Sequence, residues 1–280
     1  MPHAWESNVV GGVAEPRFVL CDGSAQLIAN GDLEVNADGW TYSGTRVADP
    51  LTPFGDYVYQ IDGDLTVTYT IPVAGSLADR TFALSVFVRG TESSEIIHCG
   101  VNDPAEDHPY TMTEISNTEY KQYVYVFTWA SYQTASSFKV QFYTAGTLQI
   151  DRVRCWEVTN DITTMPLASE DSYEFLELRQ ARTTKADQTI TDYVLGYRFT
   201  AGLKYDFLTA QQEVYRTQIS EADLVLFRPH TDTHFVATCR WDESRYRRRY
   251  FHNRYLGHVG AIELIGLDLL PGKPVEIKIT

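Results

Sequence analysis

The chain has 280 residues, of which 44% are hydrophobic, 21% charged and 13% aromatic, a composition that can build cores and excludes disordered and fibrous classes. The formal net charge of −14 is uneven: residues 1–159 carry 8 Lys+Arg against 20 Asp+Glu, a balance of −12, while residues 160–280 carry 15 against 17, a balance of −2. An acidic front half repels phosphate backbones, which argues against nucleic acid as its ligand, and length and charge step together imply two domains.

In chain order, residues 1–24 are rich in Gly and Val without a regular period, and read as an arm that orders by docking on a partner. Met1-Pro2-His3-Ala4-Trp5-Glu6 lacks the basic and apolar regions of a secretory leader, and no stretch approaches ~18 apolar residues. The expectation is a chain made in a reducing cytosol and not inserted in a membrane. Cys21, Cys99, Cys155 and Cys239 are too scattered for a metal motif or a disulfide framework and are expected as buried free thiols.

From Leu27 onward short alternating segments dominate. Leu65–Ile71, Thr81–Val88, Tyr123–Trp129 and Phe138–Tyr143 are each β-branched or aromatic and bounded by Gly, Asp, Asn, Ser or Pro. Period-two patterning with frequent turn residues predicts an antiparallel sandwich or barrel. The polar stretch Thr159–Pro166 marks a linker, taken as 159–167. Strands resume at Tyr173–Leu178, Tyr193–Phe199, Leu224–Phe227, His234–Trp241, Val259–Leu267 and Val275–Ile279. Thr209–Arg216, rich in helix formers, is the one predicted helix. The fold class is therefore all-β: an arm over 1–24, a jelly-roll sandwich over 25–158, and a second β-barrel-like or sandwich-like domain with one short helix over 168–280.

Two resemblances follow from particular residues. Asn30-Gly31-Asp32-Leu33-Glu34 with Gly39-Trp40, and the closing Ile150-Asp151-Arg152-Val153, resemble the opening and closing strands of carbohydrate-binding modules and galactose-binding-like jelly rolls. The resemblance covers about 130 residues and implies a structural calcium held by Glu34 and Asp151, with Asp32 nearby. Arg152 stands where that family has a second Asp. It also implies a host-surface glycan as partner, for which the candidate contacts are Tyr110, Tyr42 and Tyr132; Trp40 and Trp129 read as core. Further on, Tyr197–Lys204, the helix near 209–216, Leu226–Asp232 and Arg240-Trp241-Asp242 diffusely resemble tail-tip proteins of tailed bacteriophages. That resemblance implies a virion tail location, other tail proteins as partners and a homo-oligomeric ring.

Two local strings carry possible chemistry. In an extended strand His230, Asp232 and His234 share one face, as two imidazoles and a carboxylate would around a transition metal; the alternative is a turn leading into a strand. The run Arg245–Tyr255 interleaves Arg and Tyr, a composition of protein interfaces as well as of nucleic-acid tracks. The near-neutral back half favours an interface through Arg247, Arg248, Arg249 and Tyr250. No nucleophile elbow, phosphate loop or dinucleotide fingerprint occurs, so a non-enzyme is expected: a structural tail component, or a glycan-binding adhesin.

Overall fold

The structure is a computed structural model. It describes residues 9–10, 13–14, 16–23, 26–34, 38–41, 44–50, 52, 54–63, 65–90, 97–102, 109–110, 120–144, 146–170, 172–184, 190–228, 237–241 and 258–266. These fall into two compact units: one within Ser24–Val158, the other within Asn8–Gly23 and Thr159–Pro274.

In chain order the strands are β1 (Val9–Val10), β2 (Val13–Ala14), β3 (Arg17–Cys21), β4 (Gly44–Ala48), β5 (Tyr57–Asp62), β6 (Leu65–Pro72), β7 (Thr81–Gly90), β8 (Ile97–Asn102), β9 (Pro109–Tyr110), β10 (Lys121–Thr128), β11 (Ser137–Thr144) and β12 (Thr147–Ile162). They continue with β13 (Tyr173–Thr184), β14 (Ile190–Leu208), then helix α1 (Ala210–Glu221), β15 (Leu224–Arg228), β16 (Ala237–Trp241) and β17 (His258–Gly266). The chain is all-β with one described helix.

The first unit is an antiparallel two-sheet sandwich. One sheet runs β10-β7-β12-β5-β4 and the other β6-β11-β8-β9. Alternation decides what lies between them. Tyr59 and Ile61 of β5, Phe82, Leu84, Val86 and Val88 of β7, and Leu148 and Ile150 of β12 face Val67, Tyr69 and Ile71 of β6 and Phe138, Val140 and Phe142 of β11 in one apolar cluster. Trp129 and Trp40 both belong to that cluster. The Trp40 ring sits 5.1 Å from Tyr69 and 5.9 Å from Phe142, and its Nε1 donates to the Asn30 carbonyl at 3.3 Å. The opening motif is thus tied down by its own tryptophan.

The second unit is a sheet in the order β3-β15-β16-β17-β14-β13, all antiparallel. Its core joins Phe18 and Leu20 of β3, Leu203 and Tyr205 of β14, Val225 and Phe227 of β15, and Ile262 and Leu264 of β17. Ile219 of α1 packs there too. Helix α1 begins where Thr209 caps it: Thr209 Oγ1 accepts the Gln212 amide at 3.3 Å, while Gln212 Oε1 accepts the Thr209 amide at 2.9 Å. The helix outruns the sequence reading, continuing to Glu221. The reading of 1–24 as an arm needs correction at its end. Arg17–Cys21 is a strand inside the second unit, because Phe-Val-Leu-Cys is apolar on both faces and both faces are buried. The strand reading at Val275–Ile279 lies outside the described residues.

Glycine is required at position 31. A Cβ there would lie 1.8 Å from the Val153 carbonyl oxygen, and the backbones are already joined by the Val153 amide donating to the Gly31 carbonyl at 2.6 Å. Gly31→Ala is expected to separate the opening motif from β12 and to cost about 2–3 kcal/mol, read from the shift of the urea unfolding midpoint.

Candidate functional site: a polar row across one sheet

The same alternation that fills the core sends the intervening residues of β5, β7 and β12 to the opposite face. The strand register sets Thr45 against Gln60, Gln60 against Gln149, and Gln149 against Arg89. One transverse row of polar side chains therefore crosses four strands. It ends on Tyr120, just before β10.

From Gln60 to Tyr120 the row is joined by hydrogen bonds, the last of them through Asp49. Arg89 Nε donates to Gln149 Oε1 at 2.5 Å and Arg89 Nη2 to Asp49 Oδ2 at 2.7 Å. The Tyr120 hydroxyl donates to the same Asp49 oxygen at 2.8 Å, and the guanidinium lies 4.9 Å from the Tyr120 ring centroid. Gln149 Nε2 donates to Gln60 Oε1 at 3.0 Å. Gln60 Nε2 in turn donates to both oxygens of Asp62 at 3.0 and 3.1 Å, and Thr147 Oγ1 donates to Asp62 Oδ1 at 3.0 Å. Asp49, Gln149 and Tyr120 are buried, whereas Asp62 and Thr45 are exposed, so the network is sealed at one end and open at the other. Burial, then the hydrogen bond to Asp49, pushes the Tyr120 hydroxyl far up from its ordinary value, so it remains a donor. Planar amides, a guanidinium and a carboxylate in fixed orientation suit a ligand rich in vicinal hydroxyls.

At another place in the unit the structure brings together Glu34 and Asp151. Glu34 follows Leu33, whose φ is 57°, and its carboxylate accepts the backbone amides of Asp56 and Tyr57, each at 3.2 Å. Gly55 is needed for this approach, since a Cβ there would lie 2.1 Å from Glu34 Oε1. Asp151 sits at a register shift in β12, is 0% exposed, and accepts the Thr52 hydroxyl on Oδ2 at 2.5 Å. Its other oxygen, Oδ1, is buried with no partner. Arg152, with φ 47°, lays its guanidinium 4.0 Å over the Phe54 ring. Two carboxylates, one of them with an orphaned buried oxygen, and a hydroxyl are donors of the kind a hard cation takes. Asp32 is exposed. Among the described residues no group of three His, Cys, Asp or Glu is gathered closely enough to hold a metal.

The aromatic candidates fare differently. Tyr132 is 67% exposed in the turn after β10. Tyr120 precedes β10, so the eight residues of that strand, about 27 Å of rise, part Tyr132 from the polar row. Tyr110 falls on β9, the edge of the other sheet, rather than in a loop. Tyr42, the His230–His234 string and Arg247, Arg248, Arg249 and Tyr250 lie outside the described residues. The sequence reading missed Gln60, Arg89 and Gln149. Their signal was a lone polar residue beside core residues in each of three strands, as in Tyr59-Gln60-Ile61 and Leu148-Gln149-Ile150. Cys21 and Cys155 are buried free thiols, and burial pushes the Cys21 thiol up to about 12, which leaves it unreactive.

No family model matches the sequence, and no curated protein does. Among solved structures the chain is similar to a family 16 carbohydrate-binding module, at 18% identity over 46% of this chain and 98% of that one, with a TM-score of 0.36. It is similar to the CBM22-1 xylan-binding domain of Paenibacillus barcinonensis Xyn10C at 12% identity, over 49% and 96% of the two chains, with a TM-score of 0.38. The enzymatically active domain of tailspike protein 4 from bacteriophage CBA120 aligns at 14% identity over 47% of this chain and 21% of that one, with a TM-score of 0.36.

Burial, followed by the charge of Glu34, lifts the Asp151 carboxyl from 3.8 to about 7, against the opposing pull of Thr52, Arg152 and the Phe54 amide. Between about pH 4 and pH 7 the folded chain keeps a proton that the unfolded chain has lost. Stability therefore falls as pH rises through that window. In chelator, the difference in unfolding free energy between wild type and Asp151→Asn is expected to move against the wild type by up to ~4 kcal/mol from pH 4 to pH 7, measured by urea denaturation.

Proposed function

We propose that the first unit is a glycan-reading module and that the second unit carries it within a larger assembly, the tail of a bacteriophage virion. The observation that carries the glycan reading is the polar row. An oriented array of Arg, Gln, Asp and Tyr occupies the non-core face of a sheet, where apolar packing or solvated charges would otherwise serve. Its open end, Thr45, Gln60, Asp62 and Thr147, presents a carboxylate held by two neighbours to a hydroxyl-rich ligand. The assembly reading rests on the tail-tip resemblance over residues 197–242, and the order of β14, α1 and β15 is the strand–helix–strand sequence on which it depends. Calcium at Glu34 and Asp151 belongs to the same reading. When bound it would supply the positive charge that the orphaned Asp151 oxygen lacks.

The glycan reading is tested by screening the full-length chain on a glycan array and titrating a hit by calorimetry. Asp62→Ala, at an exposed position, and Arg89→Met are each expected to weaken binding at least about tenfold. An empty array, or a hit indifferent to both variants, would remove the polar row from recognition. For the cation, adding calcium to chelated protein is expected to raise the melting temperature by several degrees, and Asp151→Asn to abolish the rise. A wild-type melting temperature that ignores calcium would dismiss it.

A further inference from the structure

Strand β13 is the outermost strand of the second unit's sheet among the described residues: it pairs with β14 on one side only. It is 12 residues long, contains neither Pro nor Gly, and is regular throughout. The register shift in its pairing leaves an extra residue on β14, since Arg179 faces Gly196 and Gln180 faces Val194. Folds normally blunt such edges with short strands, Pro, charged side chains or a bulge on the edge itself, because a long regular edge is a template for another strand. Of these devices β13 carries only charges, two Glu and two Arg.

We propose that β13 pairs with β13 of a second copy of this chain, antiparallel, about a two-fold axis at Leu178. The charges on the strand specify that partner and that register. With Leu178 facing itself, Glu174 stands opposite Arg182 and Glu177 opposite Arg179, each pair occurring twice by symmetry. Every charged position of the strand then stands opposite a position of the other sign. A slip of one residue pairs no charge with a charge. A slip of two sets Glu177 against Glu177 in one direction, or Arg179 against Arg179 in the other. Among slips of up to two residues only this register sets opposite charges together, and a slip of three pairs only half of them. On the β14 side Glu177 and Arg182 already stand opposite Arg198 and Asp192, whereas Glu174 and Arg179 stand opposite Ala201 and Gly196. This inference deepens the assembly half of the proposed function and rests on it; the glycan half is independent of it.

The test is the solution mass of the full-length chain by light scattering after size exclusion, across concentrations, for wild type, Glu174→Arg, Arg182→Glu and the double variant. Wild type is expected to approach about 64 kDa, twice the 31.8 kDa of one chain, as concentration rises, unless further contacts build a larger multiple. Each single variant sets like charges opposite one another twice, and is expected to raise the dissociation constant at least about tenfold. The double variant restores both pairs with signs exchanged, and is expected to return to within about threefold of wild type. That rescue separates the pairing from any loss of folding, and far-ultraviolet circular dichroism checks each variant. A mass above the monomer that ignores all three variants keeps the assembly reading and removes β13 from it. A monomer at every concentration overturns the self-pairing, and singles that weaken without rescue by the double overturn the register. Glycan titration of the same samples reports on the other half of the reading separately.

Discussion

The two-residue period of β5, β7 and β12 is the constraint on which the first unit depends. Each of these strands is buried on its core face and largely covered on the other, so its two sets of side chains must differ in chemistry rather than merely in exposure. Tyr59 and Ile61, Val86 and Val88, and Leu148 and Ile150 claim the core, which leaves Gln60, Arg89 and Gln149 nowhere else to point. A slip of one residue in any strand would drive an amide or a guanidinium into the apolar cluster and expose its neighbours. The core thereby enforces the polar row, and the hydrogen bonds of the row reinforce the same register from the other side.

That arrangement is more expensive than an apolar second face. Burying Asp49 and Arg89 desolvates two charges, a cost offset by their mutual attraction together with further bonds: Tyr120 on Asp49, Gln149 on Arg89, Gln60 on Gln149. Replacing such a network by well-packed hydrophobic residues is often neutral or stabilising. Its presence on a sheet whose core is already complete is what the proposed glycan reading accounts for, with the exposed Asp62 at its open end.

Much of the fold is readable from local pattern, and the reasons are physical. Strands such as Thr81–Gly90 and Ser137–Thr144 announce themselves because alternation and β-branching are local properties, and α1 does so through Thr209 and Gln212, three residues apart. The end motifs are readable because Gly31, Trp40 and Asp151 each have a steric or packing role that few residues can fill. The row itself is not readable. It is made by register between positions 45, 60, 149 and 89, and nothing within a strand records which residue of another strand will lie opposite. The apolar run Phe18–Cys21 misled for a related reason: its partners in β15 lie some two hundred positions away, so near the N-terminus it reads as a tail. Tyr132 could be picked out by residue type, whereas hydrogen-bonding side chains on the sheet carry no compositional signal.

Asp151 shows how a fold can hold a carboxyl group against its own stability. Its position follows from backbone geometry: the irregularity in β12, the left-handed turn at Arg152 and the bond from the Val153 amide to the Gly31 carbonyl leave the carboxylate pointing inward beside Glu34. Thr52 satisfies one oxygen, and Arg152, although its charge favours the ionised form, is laid over Phe54. A purely structural position would be better served by Asn, which can meet a hydroxyl without a charge to bury. A carboxylate is favoured over Asn where something positive arrives to share it, and burial beside a second carboxylate makes that arrival stabilising in proportion to the desolvation it relieves.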